Sequence, residues 1–329
     1  MYPLAEIRFG SGAEAFAANL ITGGTTFFVF ISGYMFQHVF CARFSYGRFM
    51  LGKCRTVLIP YVVISIPFIL WFLHSAPPQG VANYATFAGW TPASDAGVQL
   101  AAALKLFLTG KFNIAAWYIP FVMILFAMSP FHKWFAGQNR MAQIAIVAAW
   151  FVLALLMHRP PGNLNPVQSV VYFSPVYLIG ILCAQNKETL LRWMEGKEWQ
   201  ALLAVAVVNA VQVGLGRQGN YHSSLLSYDG IDLMLLQKTL LTIALFCLFE
   251  RRVHISPPLV SLVSASSFAL FFLHPAFLVV LPQLGYVPLL GGGWGDLVLV
   301  TALVCVVCLA LALGMKQLCG PRSRYLLGY

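Results

Sequence analysis

The charged side chains beside one apolar segment are well placed to bind a ligand. Arg48, Lys53 and Arg55 precede the apolar stretch that begins at Thr56. Lysine and arginine at a helix N-terminus favour phosphate binding, because backbone N–H groups and the helix dipole add to their positive charge. The alternative is that these cations only mark a cytoplasmic loop. The sequence leaves both interpretations open for this stretch.

Three ionisable residues fall inside apolar segments, namely Asp232, Lys238 and His274. A charged side chain at the centre of a bilayer costs roughly 2.5–3.5 kcal/mol on insertion scales, so such residues are usually paired or functional. We expect Asp232 and Lys238 to pair, and the pair either fixes helix packing or lines a cavity for an acceptor. His274 is either a hydrogen-bonded packing residue or an acid-base group.

The composition identifies the elements that must position these residues. Of 329 residues, 60% are hydrophobic and only 9% are charged. Soluble proteins carry about 25% charged residues, so this chain has too few charges to cover a water-facing surface. The net charge of +10 therefore indicates basic membrane loops and not binding of nucleic acid. The seven cysteines mostly lie in or beside apolar runs, which indicates packing and not a metal site or disulfides.

We predict an all-α transmembrane helix bundle of about nine spans in a single domain covering residues 1–329, with no separate soluble domain. The predicted spans are Ile21–Cys41, Thr56–Leu73, Ala115–Phe131, Met141–Met157, Val170–Ala184, Ala201–Val213, Asp232–Phe249, Leu259–Leu281 and Leu297–Leu318. Most lysines and arginines lie on alternate loops that share one side, which predicts that this side and the C-terminus are cytoplasmic. An odd number of spans then places the N-terminus outside, although residues 1–20 resemble no signal peptide. We therefore expect that one span is missing before Met1; the alternative is a protein whose short N-terminal tail crosses to the outside.

Four motifs in this order resemble membrane acyltransferase family 3, the bacterial integral-membrane O-acyltransferases that modify surface glycans. They are the Phe-Phe-Val-Phe-Ile-Ser-Gly-Tyr stretch Phe27–Tyr34, the basic stretch that ends at Leu58–Tyr61, the aromatic stretch Trp117–Phe121 and the segment Ser266–His274. Within this family, the motifs most resemble those of the fucose acetylase-like branch. The resemblance implies a core of ten spans with both ends cytoplasmic, in the bacterial inner membrane.

The chain also departs from the family pattern. The family's first helix carries a histidine taken to be catalytic, but no histidine lies upstream of His38, which follows the Ser32–Gly33 pair. Cys54 and Val57 stand where the family's basic motif has arginine. We expect little acyltransferase activity from these 329 residues unless His274 serves as the base. We also expect an open groove beside Gly23–Gly33, where an absent helix would pack.

The resemblance implies transfer of an acetyl group from cytoplasmic acetyl-CoA to a hydroxyl of a glycan or lipid-linked sugar, without a metal. The site residues that we predict are His274 as the catalytic group, Lys53, Arg55 and Arg48 for acetyl-CoA, and Ser32, Gly33, Trp117, Asp232 and Lys238 in the substrate cavity. The alternative function is a secondary transporter or permease of a small polar or glycan-linked solute. A transporter would show inverted repeats with matched broken helices, and we find no such pairing in the sequence.

Overall fold

The computed structural model describes residues 12–86, 92–253, 257–283, 285, 293–323 and 326. Within these ranges the chain is helical and contains no strand, which confirms the predicted fold class. The α-helices are α1 (Gly12–Ile21), α2 (Thr25–Met35), α3 (Tyr46–Lys53), α4 (Ile59–Ser75), α5 (Pro78–Ala85), α6 (Asp95–Thr109), α7 (Tyr118–Ala127), α8 (Ser129–Ala136), α9 (Arg140–Met157), α10 (Pro166–Gln185), α11 (Lys187–Met194), α12 (Glu198–Gly214), α13 (Leu233–Arg252), α14 (Pro258–Gln283) and α15 (Trp294–Cys319).

Seven helical segments of the described chain are long and apolar enough to cross a membrane, and the bent pair α7–α8 brings the number to eight. The chain is therefore a multi-pass membrane protein. This number is lower than the nine spans predicted, because the sixth predicted span, Ala201–Val213, corresponds to the shorter helix α12. At 17 residues, α12 falls below the roughly 20 residues that a spanning helix needs.

The chain forms two compact units, which we describe separately. Among the described residues, the first unit comprises 12–49 and 124–253, and the second comprises those in 50–123 and from 257 onwards. The prediction of a single domain over residues 1–329 stays a prediction.

In the first unit, α2 and α10 pack with their backbones in close contact. A Cβ atom on Gly33 would overlap the carbonyl group of Tyr177 in α10. A Cβ atom on Gly180 would overlap the carbonyl oxygen of Phe30 and lie 2.8 Å from the backbone nitrogen of Tyr34. Small residues of this kind allow membrane helices to approach closely. The crossing therefore requires glycine on both helices.

The expectation of an open groove beside Gly23–Gly33 is confirmed at the middle of α2, where Phe27, Phe30 and Ile31 line a groove of about 500 Å³. The expectation that the small residues themselves face an open space is wrong at Gly33, which is buried against α10, and at Gly23, where a Cβ atom would lie 3.2 Å from atoms of Asn220 and Lys238. Between them, Gly24 has no atom within 4 Å of a Cβ position. The exposed residues of α2 are large instead, as at Phe28 and Ile31.

Buried side chains of α12 and α13 hold α1 in place. The Asn209 amide nitrogen donates to the carbonyl of Phe16 at 2.8 Å, and the Lys238 ammonium donates to the carbonyl of Leu20 at 2.6 Å. The second bond satisfies a carbonyl in the last turn of α1, where the helix has no further N–H donors of its own. Lysine at a helix C-terminus is also favoured by the helix dipole.

The helix that carries the predicted phosphate-binding cations begins earlier than the sequence indicated. The structure has a continuous helical segment over Tyr46–Ser75, with a π-helical stretch at Cys54–Leu58. Pro60 has no N–H, which removes one helical hydrogen bond next to this stretch. The expectation of a helix N-terminus at Thr56 is therefore wrong, and Lys53 and Arg55 have no free helix terminus beside them.

The glycine crossing predicts different results for two alanine substitutions at opposite ends of α2. Gly33→Ala forces a methyl group into the backbone of α10, and we expect it to lower the free energy of unfolding by about 1–3 kcal/mol. Gly24→Ala is the matched control, because no atom lies within 4 Å of a Cβ atom there. Thermal unfolding of the detergent-purified protein measures both. Equal unfolding midpoints for the two variants would contradict the close crossing.

Candidate functional site

His274 lies half-buried in α14 of the second unit, with one ring nitrogen engaged. Its Nδ1 is 2.9 Å from the carbonyl oxygen of Leu270, one turn earlier in the helix. A carbonyl oxygen only accepts hydrogen bonds, so Nδ1 carries the proton in the neutral ring and Nε2 is the basic nitrogen. Pro275 adds to the polarity of this turn, because it leaves the Phe271 carbonyl without its usual helical donor. A histidine with one nitrogen fixed and the other basic is suited to general base catalysis.

An aromatic cluster connects His274 with Trp117. It contains Trp117, Tyr118, Phe121, Phe271 and His274. Trp117 stacks on Phe121 with ring centroids 5.6 Å apart, and Tyr118 contacts both Phe121 at 5.0 Å and Phe271 at 5.6 Å. The rings of Phe271 and His274 follow at 6.3 Å. The second unit thus brings together two predicted site residues that are far apart in the sequence.

The other described histidines differ from His274 in exposure. His132 and His158 are fully buried, so neither is reached by a substrate in this conformation. Three more, His38, His74 and His222, are exposed. Among the histidines in the described part of the chain, His274 alone is half-buried in a membrane helix.

The predicted phosphate-binding cations follow one another along a helix but differ in burial. In the second unit, Lys53 is half-buried and Arg55 is exposed. Arg48 lies in the first turn of α3, belongs to the first unit and is exposed. Lys53 and Arg55 thus belong to one unit, but a spacing of two residues on a helix turns their side chains to different sides.

Asp232 lies in a buried polar network at one end of the first unit. Its carboxylate accepts a hydrogen bond from the Tyr172 hydroxyl at 2.8 Å and caps α13 by accepting from the Leu235 backbone nitrogen at 2.9 Å. The imidazole of His158 donates through Nε2 to the carbonyl of Gly230 at 2.9 Å. Arg159, also buried, interacts electrostatically with Tyr172 and Asp232.

Ionisable residues in the loops beside this network have shifted pKa values. Burial lowers the pKa of Arg159, while Tyr172 and Asp232 oppose that effect. Burial, with a further contribution from Asp232, raises the pKa of Tyr221 to about 12. At the exposed edge, the hydrogen bond from Arg217 lowers the pKa of the Asp229 carboxyl. Removal from bulk water is therefore the main cause of the pKa shifts of Arg159 and Tyr221.

The predicted ion pair between Asp232 and Lys238 does not form. Lys238 is 1% exposed and donates to the Leu20 carbonyl, whereas Asp232 binds Tyr172. Residues six apart lie on different sides of a helix, since only spacings of three and four bring side chains together. The prediction placed both residues inside one helix, but Asp232 precedes the helix as its cap.

The predicted cavity residues of α2 make local contacts. The Ser32 hydroxyl donates to the Phe28 carbonyl at 2.8 Å within the helix. Gly33 is buried against the backbone of α10. Over the described ranges, no group of three or more His, Cys, Asp and Glu residues is arranged to hold a metal ion.

Sequence reasoning missed His158, Arg159 and Tyr172. The first two follow α9 directly, and Tyr172 lies in a span that reads as uniformly apolar apart from scattered hydroxyl and amide groups. The signal available was the pair of ionisable residues before Pro160 and Pro161, at the end of a long apolar run. It was overlooked because ionisable residues in a short connecting loop usually face water.

Comparison with known proteins identifies the family to which this chain belongs. Residues 4–313 match the family model described as an acyltransferase domain. Comparison with curated proteins and with solved structures gives no match. The family match covers nearly the whole chain and confirms the resemblance carried by the four sequence motifs, so the chain belongs to membrane acyltransferase family 3.

Proposed function

We propose that the protein transfers an acetyl group from cytoplasmic acetyl-CoA to a hydroxyl of a glycan or lipid-linked sugar at the bacterial inner membrane. Membership of an acyltransferase family supports acyl transfer. The observation that carries the proposed site is the half-buried His274, whose Nδ1 is hydrogen-bonded to Leu270 so that Nε2 is basic. The bias of lysine and arginine towards alternate loops supports a cytoplasmic C-terminus.

The chemistry requires one base and one leaving group. Nε2 of His274 takes the proton of the acceptor hydroxyl, and the oxygen attacks the thioester carbonyl of acetyl-CoA. A C–O bond forms and the C–S bond breaks, which gives the O-acetyl ester and the thiolate of CoA. The protonated histidine then returns its proton to the thiolate, so that the enzyme ends unchanged.

The proposed donor site uses Lys53 and Arg55, with Arg48 at the start of the same helical segment. The phosphate groups of CoA are anionic, and cations at the cytoplasmic end of this helical segment attract them. Because Lys53 and Arg55 lie inside a helix, side-chain charge supplies this attraction and not a helix terminus. Phosphate binding by charged side chains gives strong hydrogen bonds.

The proposed acceptor site adjoins the aromatic cluster. Trp117 is partly exposed and has its indole stacked on Phe121. An aromatic face of this kind packs against the apolar C–H face of a sugar ring. His274 lies at the other end of the same group of rings, so an acceptor that extends from Trp117 along the cluster would bring a hydroxyl to it.

The donor site predicts that acetyl-CoA stabilises the purified protein. We expect the double variant Lys53→Ala, Arg55→Ala to lose this thermal shift, because both cations that attract the phosphates are removed. Arg43→Ala is the matched control, since Arg43 is an exposed cation in the basic loop before α3. If the double variant and the parent show equal shifts, acetyl-CoA does not bind here.

The role of His274 predicts a separation of turnover from stability. In His274→Gln the amide keeps hydrogen-bonding capacity but is not basic, so we expect kcat to fall at least about a hundredfold, the lower range for general acid-base catalysis. The unfolding midpoint and protein yield should stay close to those of the parent. The control is His74→Gln, which changes an exposed histidine of the same unit. Parallel losses of yield and kcat in His274→Gln would instead identify a packing residue.

A further inference from the structure

A groove of about 350 Å³ opens on the surface of the first unit between α9, α10 and α11. Its polar lining residues are Arg140, Asn186 and Thr189, and Ile144, Leu182, Leu190 and Trp193 are among its apolar ones. The volume lies at the lower end of the roughly 300–1,000 Å³ found for small-molecule sites. The groove therefore combines one cationic side chain with a mainly apolar lining.

The charge of the groove is positive and uncompensated. Arg140 is the charged residue among those that line it, and within the described ranges it forms no ion pair. Acidic residues at the same end of the unit are already paired: Glu250 binds Lys187 at 2.6 Å, and Arg251 binds both Glu195 and Glu198. Glu188 is exposed and does not line the groove. The groove is thus complementary to an anion.

The surroundings of the groove match the boundary between lipid and water. Ile144 is 47% exposed on α9, a helix long and apolar enough to cross a membrane. Trp193 is 63% exposed on α11, and Lys197 lies over its ring at 4.7 Å. Tryptophan is enriched at membrane interfaces, and amphipathic helices commonly lie along them, which fits the short helix α11.

We infer that this groove binds an anionic phospholipid, with the phosphate at Arg140 and one acyl chain along Ile144, Leu182 and Leu190. Thr189 and Trp193, which also line the groove, carry a hydroxyl and an indole N–H that can donate hydrogen bonds. A soluble anion would satisfy Arg140 but would leave the apolar lining uncovered, whereas a phospholipid satisfies both. Basic pockets between membrane helices at the cytoplasmic side recognise anionic headgroups in this way. The site does not depend on the proposed acyl transfer.

The test titrates the detergent-purified full chain with two lipids that share short acyl chains, phosphatidylglycerol and phosphatidylcholine, and follows thermal stabilisation. We expect phosphatidylglycerol to bind more tightly than phosphatidylcholine. Arg140→Gln should weaken phosphatidylglycerol binding about tenfold, as expected for the loss of a hydrogen bond to a charged group. Arg192→Gln is the control, because Arg192 is an exposed cation of α11 that does not line the groove.

Two further measurements distinguish a bound phospholipid from a bound soluble anion. Ile144→Trp fills the apolar part of the groove and should weaken the binding of both lipids while the protein stays folded, since Ile144 is already exposed. Glycerol phosphate, which has the charge without the chains, should stabilise the protein much less than the lipid. The inference is overturned if Arg140→Gln binds phosphatidylglycerol as the parent does, if Arg192→Gln loses as much, or if glycerol phosphate stabilises equally well.

Discussion

The contact between α2 and α10 at Gly33 and Gly180 is the constraint on which the first unit depends. Lipid tails are as apolar as leucine, so burial of apolar surface does not drive membrane helices together, and close packing takes its place. Both glycines are required, since a methyl group on either would overlap backbone atoms of the other helix. Once α2 fixes α10, the two ends of α10 are positioned. Tyr172 near one end reaches Asp232, and Leu182 and Cys183 near the other end line the groove beside Arg140.

Several buried polar groups in this structure find partners on other helices, where the bilayer supplies no water to replace them. Lys238 shows how such a residue is accommodated without a carboxylate, because the ammonium bonds a carbonyl at the end of α1. Asp232 is accommodated by a tyrosine hydroxyl and by the N-terminus of α13. In the first unit these residues tie separate helices together. In the second unit, His274 has one nitrogen fixed by its own helix, which leaves the other for chemistry.

The sequence predicted the all-helical membrane fold and the family, because apolar runs and local motifs are visible in one dimension. It did not predict which helix meets which, so the small residues of α2 were assigned to an absent helix although Gly180 of α10 receives them. Pairing of Asp232 with Lys238 failed because helix periodicity separates residues six apart. The early start at Tyr46 was missed because Gly47 and Gly52 are weak helix formers, and tertiary structure overrides that preference. The site was predictable in its residue types, but the aromatic cluster that joins Trp117 to His274 requires the fold.

Transfer of the acyl group is the central claim, and it is measured directly with acetyl-CoA labelled in its acetyl group. Membrane vesicles that contain the protein, with the side rich in lysine and arginine facing out, are incubated with the label beside vesicles from the same cells without the protein. We predict that label accumulates in the lipid or glycan fraction only when the protein is present, and that mild base releases it as acetate, as expected of an O-acetyl ester. Label that stays on acetyl-CoA, or that enters both vesicle preparations equally, would contradict acyl transfer by this chain.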